Sequence, residues 1–271
     1  MVRARGIPVS LPDPMEPDAP VQGYAELCVT SNFTFLTGAS HPEELVLRAV
    51  ELGLEAMAVT DRNTLAGVVR AYSALKTLRE EAQDELRVRS RHRVDHSSRQ
   101  GNASASDLPR PETVRLPRLI VGTRLMLRDD PVEWLALPTD RPAYRRLSRL
   151  LTLGKQRAGK GDCLLDLADL EAGAEGLLLI ALPPRDPTCA IAPVQALSRR
   201  FPGNVFLGAS PRYDGSDQPW FDACASLARQ AGVPMVAVGD VLMHHAGRRQ
   251  LADVLTCMRE GITIDRIGTR A

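Results

Sequence analysis

Short apolar runs recur along this chain between amphipathic stretches, and that alternation leaves few folds open. YAELCVT (24–30), LEAMAVT (54–60), LPRLIVGTRLML (116–127), GLLLIAL (176–182), NVFLGA (204–209) and PMVAVGD (234–240) read as strands. The spacing of apolar residues between and after them predicts helices over 40–52, 64–82, 140–157, 165–170, 190–201, 220–232 and 248–260. The first helix has a full start signal, with Ser40 as cap, Pro42 in the first turn and Glu43 three residues after the cap. Strands that are apolar on both faces and separated by helices indicate an α/β protein with a mainly parallel sheet, open or closed into a barrel.

Two segments break the rhythm. Residues 1–22 carry five prolines and no hydrophobic period, which predicts a disordered leader. Residues from about 84 to 115 are rich in Arg, Ser and Pro and read as a solvated insertion. The formal net charge of +1 gives no global field to recruit nucleic acid or a membrane surface. No apolar run approaches the length of a membrane span, and the first residues lack a signal-peptide core, so the chain is expected in the cytoplasm. Its five cysteines are scattered, odd in number and without a CxxC pair, which predicts buried thiols instead of a disulfide framework or a zinc ribbon.

In parallel α/β folds the loops leaving the C-terminal strand ends carry the site. Those positions hold Cys28, Thr30 and Ser31; Asp61, Arg62 and Asn63; Gly122 and Arg124; and Asp240, His244 and His245. As a divalent-metal set this is poor, since Cys28, Asp61, Asp240 and one histidine would have to converge beside two guanidiniums. A structural reading places Cys28 in the core, sets Asp61 and Asp240 on loop amides or against Arg62 or Arg124, and leaves the histidines on the surface at a helix start. GKQRAGKGD (154–162) follows a helix instead of a strand, so a flexible basic turn competes there with a phosphate-contacting loop. Dinucleotide, P-loop, serine-hydrolase and zincin motifs are missing from the sequence.

Residues 24–72, YAELCVTSNFTFLTGASHPEELVLRAVELGLEAMAVTDRNTLAGVVRAY, resemble the opening of the PHP (polymerase and histidinol phosphatase) domain at the N-terminus of bacterial C-family polymerases. The wording is closer to the error-prone branch, which the chain resembles again in 122–127, 140–170 and 232–265. The resemblance implies a distorted βα barrel of PHP type with about six or seven mainly parallel strands over 23–265, followed by a tail at 266–271. It also implies where metal ligands stand in active relatives. The first His-x-His motif falls on Cys28 and Thr30, an Asp-His pair on Asp61 and Arg62, a glutamate on Arg124, and a final Asp-x-His on Asp240 and Leu242. Two aspartates remain and the imidazoles do not, so the chain is expected to hold no metal and no catalytic residue. Arg62 and Arg124 are left as anion-binding candidates or as partners of Asp61 and Asp240.

The same resemblance implies the setting: a DNA-directed DNA polymerase of damage-induced mutagenesis and translesion synthesis, whose nucleotidyl transfer needs Mg on palm-domain carboxylates of the full-length enzyme. The 271 residues read as an N-terminal piece of such an enzyme, by truncation, frameshift or fragmentation, without polymerase activity of its own. The expected partners are the remainder of the polymerase and mutagenesis-complex proteins, with DNA reached only through the full-length enzyme. Two other readings compete: a PHP-type metal-dependent phosphoesterase or nuclease, and a stand-alone scaffold for mutagenesis-complex proteins.

Overall fold

The computed structural model describes residues 23–97 and 116–268. The expected leader, residues 98–115 of the expected insertion and the last three residues of the tail lie outside them. Eight strands form in chain order: β1 (Ala25–Val29), β2 (Ala56–Val59), β3 (Arg118–Val121), β4 (Thr123–Leu125), β5 (Glu133–Pro138), β6 (Leu177–Leu182), β7 (Val205–Ala209) and β8 (Met235–Ala237). They pair as β1-β2-β3 and β4-β5-β6-β7-β8. Two junctions join these sheets into one ring. The chain runs from β3 through Gly122 directly into β4, and beyond β8 Val241 bridges to Val29, with Thr30 N–H donating to the Val241 carbonyl at 2.9 Å. The result is the expected distorted barrel, with β3 and β4 as one broken stave.

The expected single strand over 116–127 is therefore two. A Cβ at position 122 would stand 2.4 Å from Leu137 Cδ2, so glycine there lets the stave cross close to β5 as it leaves β2. β5 was not expected from the sequence pattern. It is antiparallel to both β4 and β6, because the seven residues between β4 and β5 are too few for a helical crossover.

The pleat sorts the side chains. Cys28, Ala58, Leu135, Leu137, Ile180, Leu182 and Val238 pack together as the barrel interior. Alternate residues face outward into two helical layers. Val29, Met57 and Val59 meet α1 (Pro42–Glu51) and α2 (Ala66–Ser97). Trp134, Leu179 and Leu207 meet α3 (Arg141–Gln156), α4 (Leu167–Gly173), α5 (Ile191–Arg200) and α6 (Asp217–Ala231). The last helix is α7 (Arg249–Glu260).

Local signals place most helix starts. Asp140 caps α3, its carboxylate accepting from Ala143 N–H at 2.7 Å. At α1 the cap is His41, one residue later than expected, and Glu44 in place of Glu43 accepts the His41 N–H at 2.8 Å. Ser40 is drawn off to a tertiary partner instead: its Oγ accepts from His244 N–H and stands 2.8 Å from His244 Nδ1. His244 is thus held against the α1 start, not left free on the surface, and His245 opens a short 3-10 turn by accepting the Gly247 N–H. Helix α2 runs beyond residue 82 into the expected insertion as far as Ser97, because no proline or glycine interrupts 68–97 and Leu, Arg, Glu and Ala favour helix. Gly154 of the basic GKQRAGKGD stretch lies inside α3, where its carbonyl accepts the Leu164 N–H, and Arg157 beyond it pairs with Asp169. Cys28, Cys224 and Cys257 are buried, Cys163 is half-buried and Cys189 is exposed, against the expectation that all five are core thiols. Among the described residues no helix is long and apolar enough to cross a membrane.

Candidate functional site

The C-terminal ends of the parallel staves open at one mouth of the barrel, and β5, running the other way, brings its N-terminal end to the same mouth. Two residues past the interior positions of their staves, the inward parity places Thr30, Thr60, Arg124 and Asp240 there, with Glu133 entering from β5. Five of the seven positions singled out from the sequence, Cys28, Thr30, Arg62, Arg124 and Asp240, gather at this mouth through side-chain contacts or by parity; Asp61 turns away to Ser31 and Thr34, and Leu242 is held through its carbonyl, which accepts the Ala39 N–H.

Arg124 is the centre. Its guanidinium donates to Asp240 through Nη1 at 2.8 Å and Nη2 at 3.3 Å, and its Nε lies 2.5 Å from Glu133 Oε2 without the alignment of a hydrogen bond. Only 7% of this side chain is exposed. Burial alone would lower Arg124, but Asp240 and Glu133 outweigh it and hold the guanidinium above its ordinary value. Asp240 adopts left-handed backbone, φ 47°, a conformation that Asp tolerates better than most residues. Cys28 Sγ reaches Asp240 Oδ1 at 3.5 Å, and burial followed by that carboxylate pushes the thiol well above its ordinary value, so it stays protonated.

Asp61 forms a second, separate knot. Its carboxylate accepts from Ser31 N–H, Ser31 Oγ–H and Thr34 Oγ–H, each at 2.8 Å. Burial raises its pKa, and these donors pull it back. The first turn of α2 sits directly on it: a Cβ at Gly67 would be 2.3 Å from Asp61 Oδ2. Arg62, next in sequence, does not pair with Asp61. It points to Glu133 at 3.8 Å, and its Nε is buried without a partner. Burial, together with the Arg124 and Arg259 guanidiniums, lowers Arg62, while Glu133 opposes them.

This donor set does not fit a divalent cation. Asp240 is saturated by a guanidinium, Asp61 by three protein donors, and the Cys28 thiol is held neutral. Among the described residues no group of three or more His, Cys, Asp or Glu is placed to hold a metal ion. The structural reading of the sequence had the right classes of contact, with Asp61 on a loop amide and Asp240 against Arg124. It missed Glu133, which bridges the two arginines. The apolar run VEWLALP (132–138), between Pro131 and the helix cap Asp140, was the available signal, with Glu133 in phase with inward Leu135 and Leu137.

Comparison with known proteins agrees with this architecture. The chain is 68% identical to the error-prone DNA polymerase of Ruegeria pomeroyi over 92% of its own length and 22% of that protein's. It is 44% identical to the error-prone DNA polymerase of Rhodopseudomonas palustris strain BisB5, over 92% of this chain and 20% of the relative. The chain thus spans about a fifth of the length of the curated relatives it matches. A Bifidobacterium adolescentis protein assigned as a metal-dependent phosphoesterase superposes with a TM-score of 0.53 at 15% identity, over 84% of this chain and 90% of that one, a likeness of fold. The family profile described as the PHP domain matches residues 26–214, and the chain belongs to that family.

Proposed function

We propose that this chain is the PHP part of an error-prone DNA polymerase of damage-induced mutagenesis and translesion synthesis, and that it serves there as a structural and binding domain without hydrolytic or polymerase activity of its own. The observation that carries the reading is Arg124, whose guanidinium stands between Asp240 and Glu133 where the family resemblance puts a metal-ligating glutamate. A cation entering this mouth would meet two guanidiniums and carboxylates already committed to them. The test is metal analysis of the purified chain after exposure to Zn, Mn and Mg, joined to assays of phosphomonoester and single-strand DNA hydrolysis and of primer extension. The expected result is no stoichiometric metal, no metal-dependent hydrolysis and no incorporation. Tightly held stoichiometric metal with hydrolysis would make the phosphoesterase or nuclease alternative correct.

A second reading, that the mouth takes a small oxyanion, is favoured by a specific observation. Of four buried side-chain polar atoms without a hydrogen-bond partner among the described residues, three belong to this mouth; Arg124 Nε is covered by Glu133 Oε2, which leaves Thr30 Oγ1 and Arg62 Nε for a ligand. Thermal shift with inorganic phosphate tests it, the expected gain in melting temperature vanishing in Arg62→Met.

A further inference from the structure

The outer face of α7 carries large apolar side chains turned to solvent. Leu251, Val254 and Met258 are 41%, 49% and 61% exposed, with half-buried Leu255 among them. These positions lie on one helical face. The face turned inward is built from small residues, Ala252, Thr256 and Cys257. A helix whose only task was to complete its own domain's core would place its large side chains inside, so the arrangement is reversed. Phe35, 82% exposed on the loop after β1, joins Leu251 and Leu255 in lining a groove of about 250 Å³. The flanking charges are already held within the domain, Arg249 by Asp253 at 2.8 Å and Arg248 by Glu44. A contiguous exposed apolar patch of this kind marks an interaction surface.

We infer that this face is the contact surface for the remaining four-fifths or so of a full-length error-prone polymerase chain. Two observations choose that occupant. The PHP profile ends at residue 214, before α7, whereas 232–265 is among the stretches that resemble the error-prone branch. The stripe therefore lies in a stretch where the chain follows the error-prone branch. The relatives are between four and five times longer than the span they share with this chain, so a partner of sufficient size is covalently present in them. The inference rests on the reading that the chain serves a polymerase.

The experiment grafts this chain in place of the matching fifth of the Ruegeria pomeroyi polymerase. Hydroxyl-radical labelling of Leu251, Val254 and Met258 is then compared between graft and isolated chain. In the graft these side chains should label about tenfold more slowly, as buried positions do. The double variant Val254→Glu/Met258→Glu should leave the isolated chain's melting temperature unchanged yet make the graft cleave rapidly with trypsin between its two parts. If the stripe labels equally in both while other faces of the domain are protected in the graft, the surface assignment is wrong and the polymerase reading stands. If no face of the domain is protected, the polymerase reading fails and the surface with it. Protection that develops in the isolated chain as its concentration rises would assign the face to a second copy and overturn the inference.

Discussion

Replacing Arg124 by Met removes the charge at the barrel mouth while keeping most of the apolar stem that packs there. Asp240 and Glu133 would then face each other with only the weaker Arg62 contact, 3.8 Å from Glu133. Removing one partner of a buried ion pair costs about 3–5 kcal/mol, because the other charge is left desolvated. Here the two carboxylate side chains are 36% and 24% exposed and regain part of their hydration, which brings the expected loss to about 2–3 kcal/mol. For a domain of this size that corresponds to roughly 5–10 °C in melting temperature. Urea unfolding of wild type, Arg124→Met, Asp240→Asn and the double variant gives the full cycle. The pair should show a coupling of about 1–2 kcal/mol, Asp240→Asn costing less once Arg124 is gone. Arg124→Glu should lose more stability than Arg124→Met, since it adds a third carboxylate, and should not by itself bring metal binding. Additive single effects, or an Arg124→Met variant within about 0.5 kcal/mol of wild type, would refute the argument that this guanidinium holds the mouth together.

Three further outcomes are expected. Gly67→Ala gains up to about 1 kcal/mol of helix propensity but drives a methyl into the fully bonded Asp61 carboxylate, an overpacking cost of about 1–3 kcal/mol; urea unfolding should show a net loss, with Gly159→Ala, which meets nothing within 4 Å, as the near-neutral control. Trp134→Phe should cost about 2–4 kcal/mol by the same measurement, since the indole is fully buried and its Nε1–H donates to buried Asp130 at 2.9 Å. Burial would raise the Glu44 carboxyl, but the His41 N–H, Arg248 and His244 reverse that and hold it below its ordinary 4.5. Its unfolded form therefore binds protons first on acidification, so its contribution is complete above about pH 4.5 and is lost as the pH falls through the folded value. The stability gap between wild type and Glu44→Gln, followed by urea midpoint, should narrow over that range.

The strand and helix periods were legible in the sequence because burial on both faces of a barrel stave imposes uninterrupted apolar runs, as in LLLIAL of β6. Cap chemistry was legible where the capping group has no tertiary competitor, as at Asp140, and misleading at Ser40, whose hydroxyl a residue two hundred positions away takes up. The length of α2 was not legible because its Arg-rich continuation has the composition of a solvated loop, while the same helix-favouring residues, with no breaker among them, extend a helix already begun. The positions of the candidate site were legible from their place after strands, and so were the classes of contact of Asp61 and Asp240; which of the alternative partners each takes, and the part of Glu133, were not.

By itself the sequence determined the α/β class and the positions of seven of the eight strands, with β3 and β4 read as one run and β5 missed. These are local properties, set by side-chain period and residue type along a few turns of chain. Only the tertiary structure decided that Arg124 pairs with Asp240, that Asp61 is satisfied by Ser31 and Thr34 instead of Arg62, and that β5 enters reversed to bring Glu133 between two guanidiniums. Which opposite charges meet depends on barrel closure and on the inward phase of each stave, which bring together residues as far apart in sequence as Arg124 and Asp240 and which no local pattern encodes.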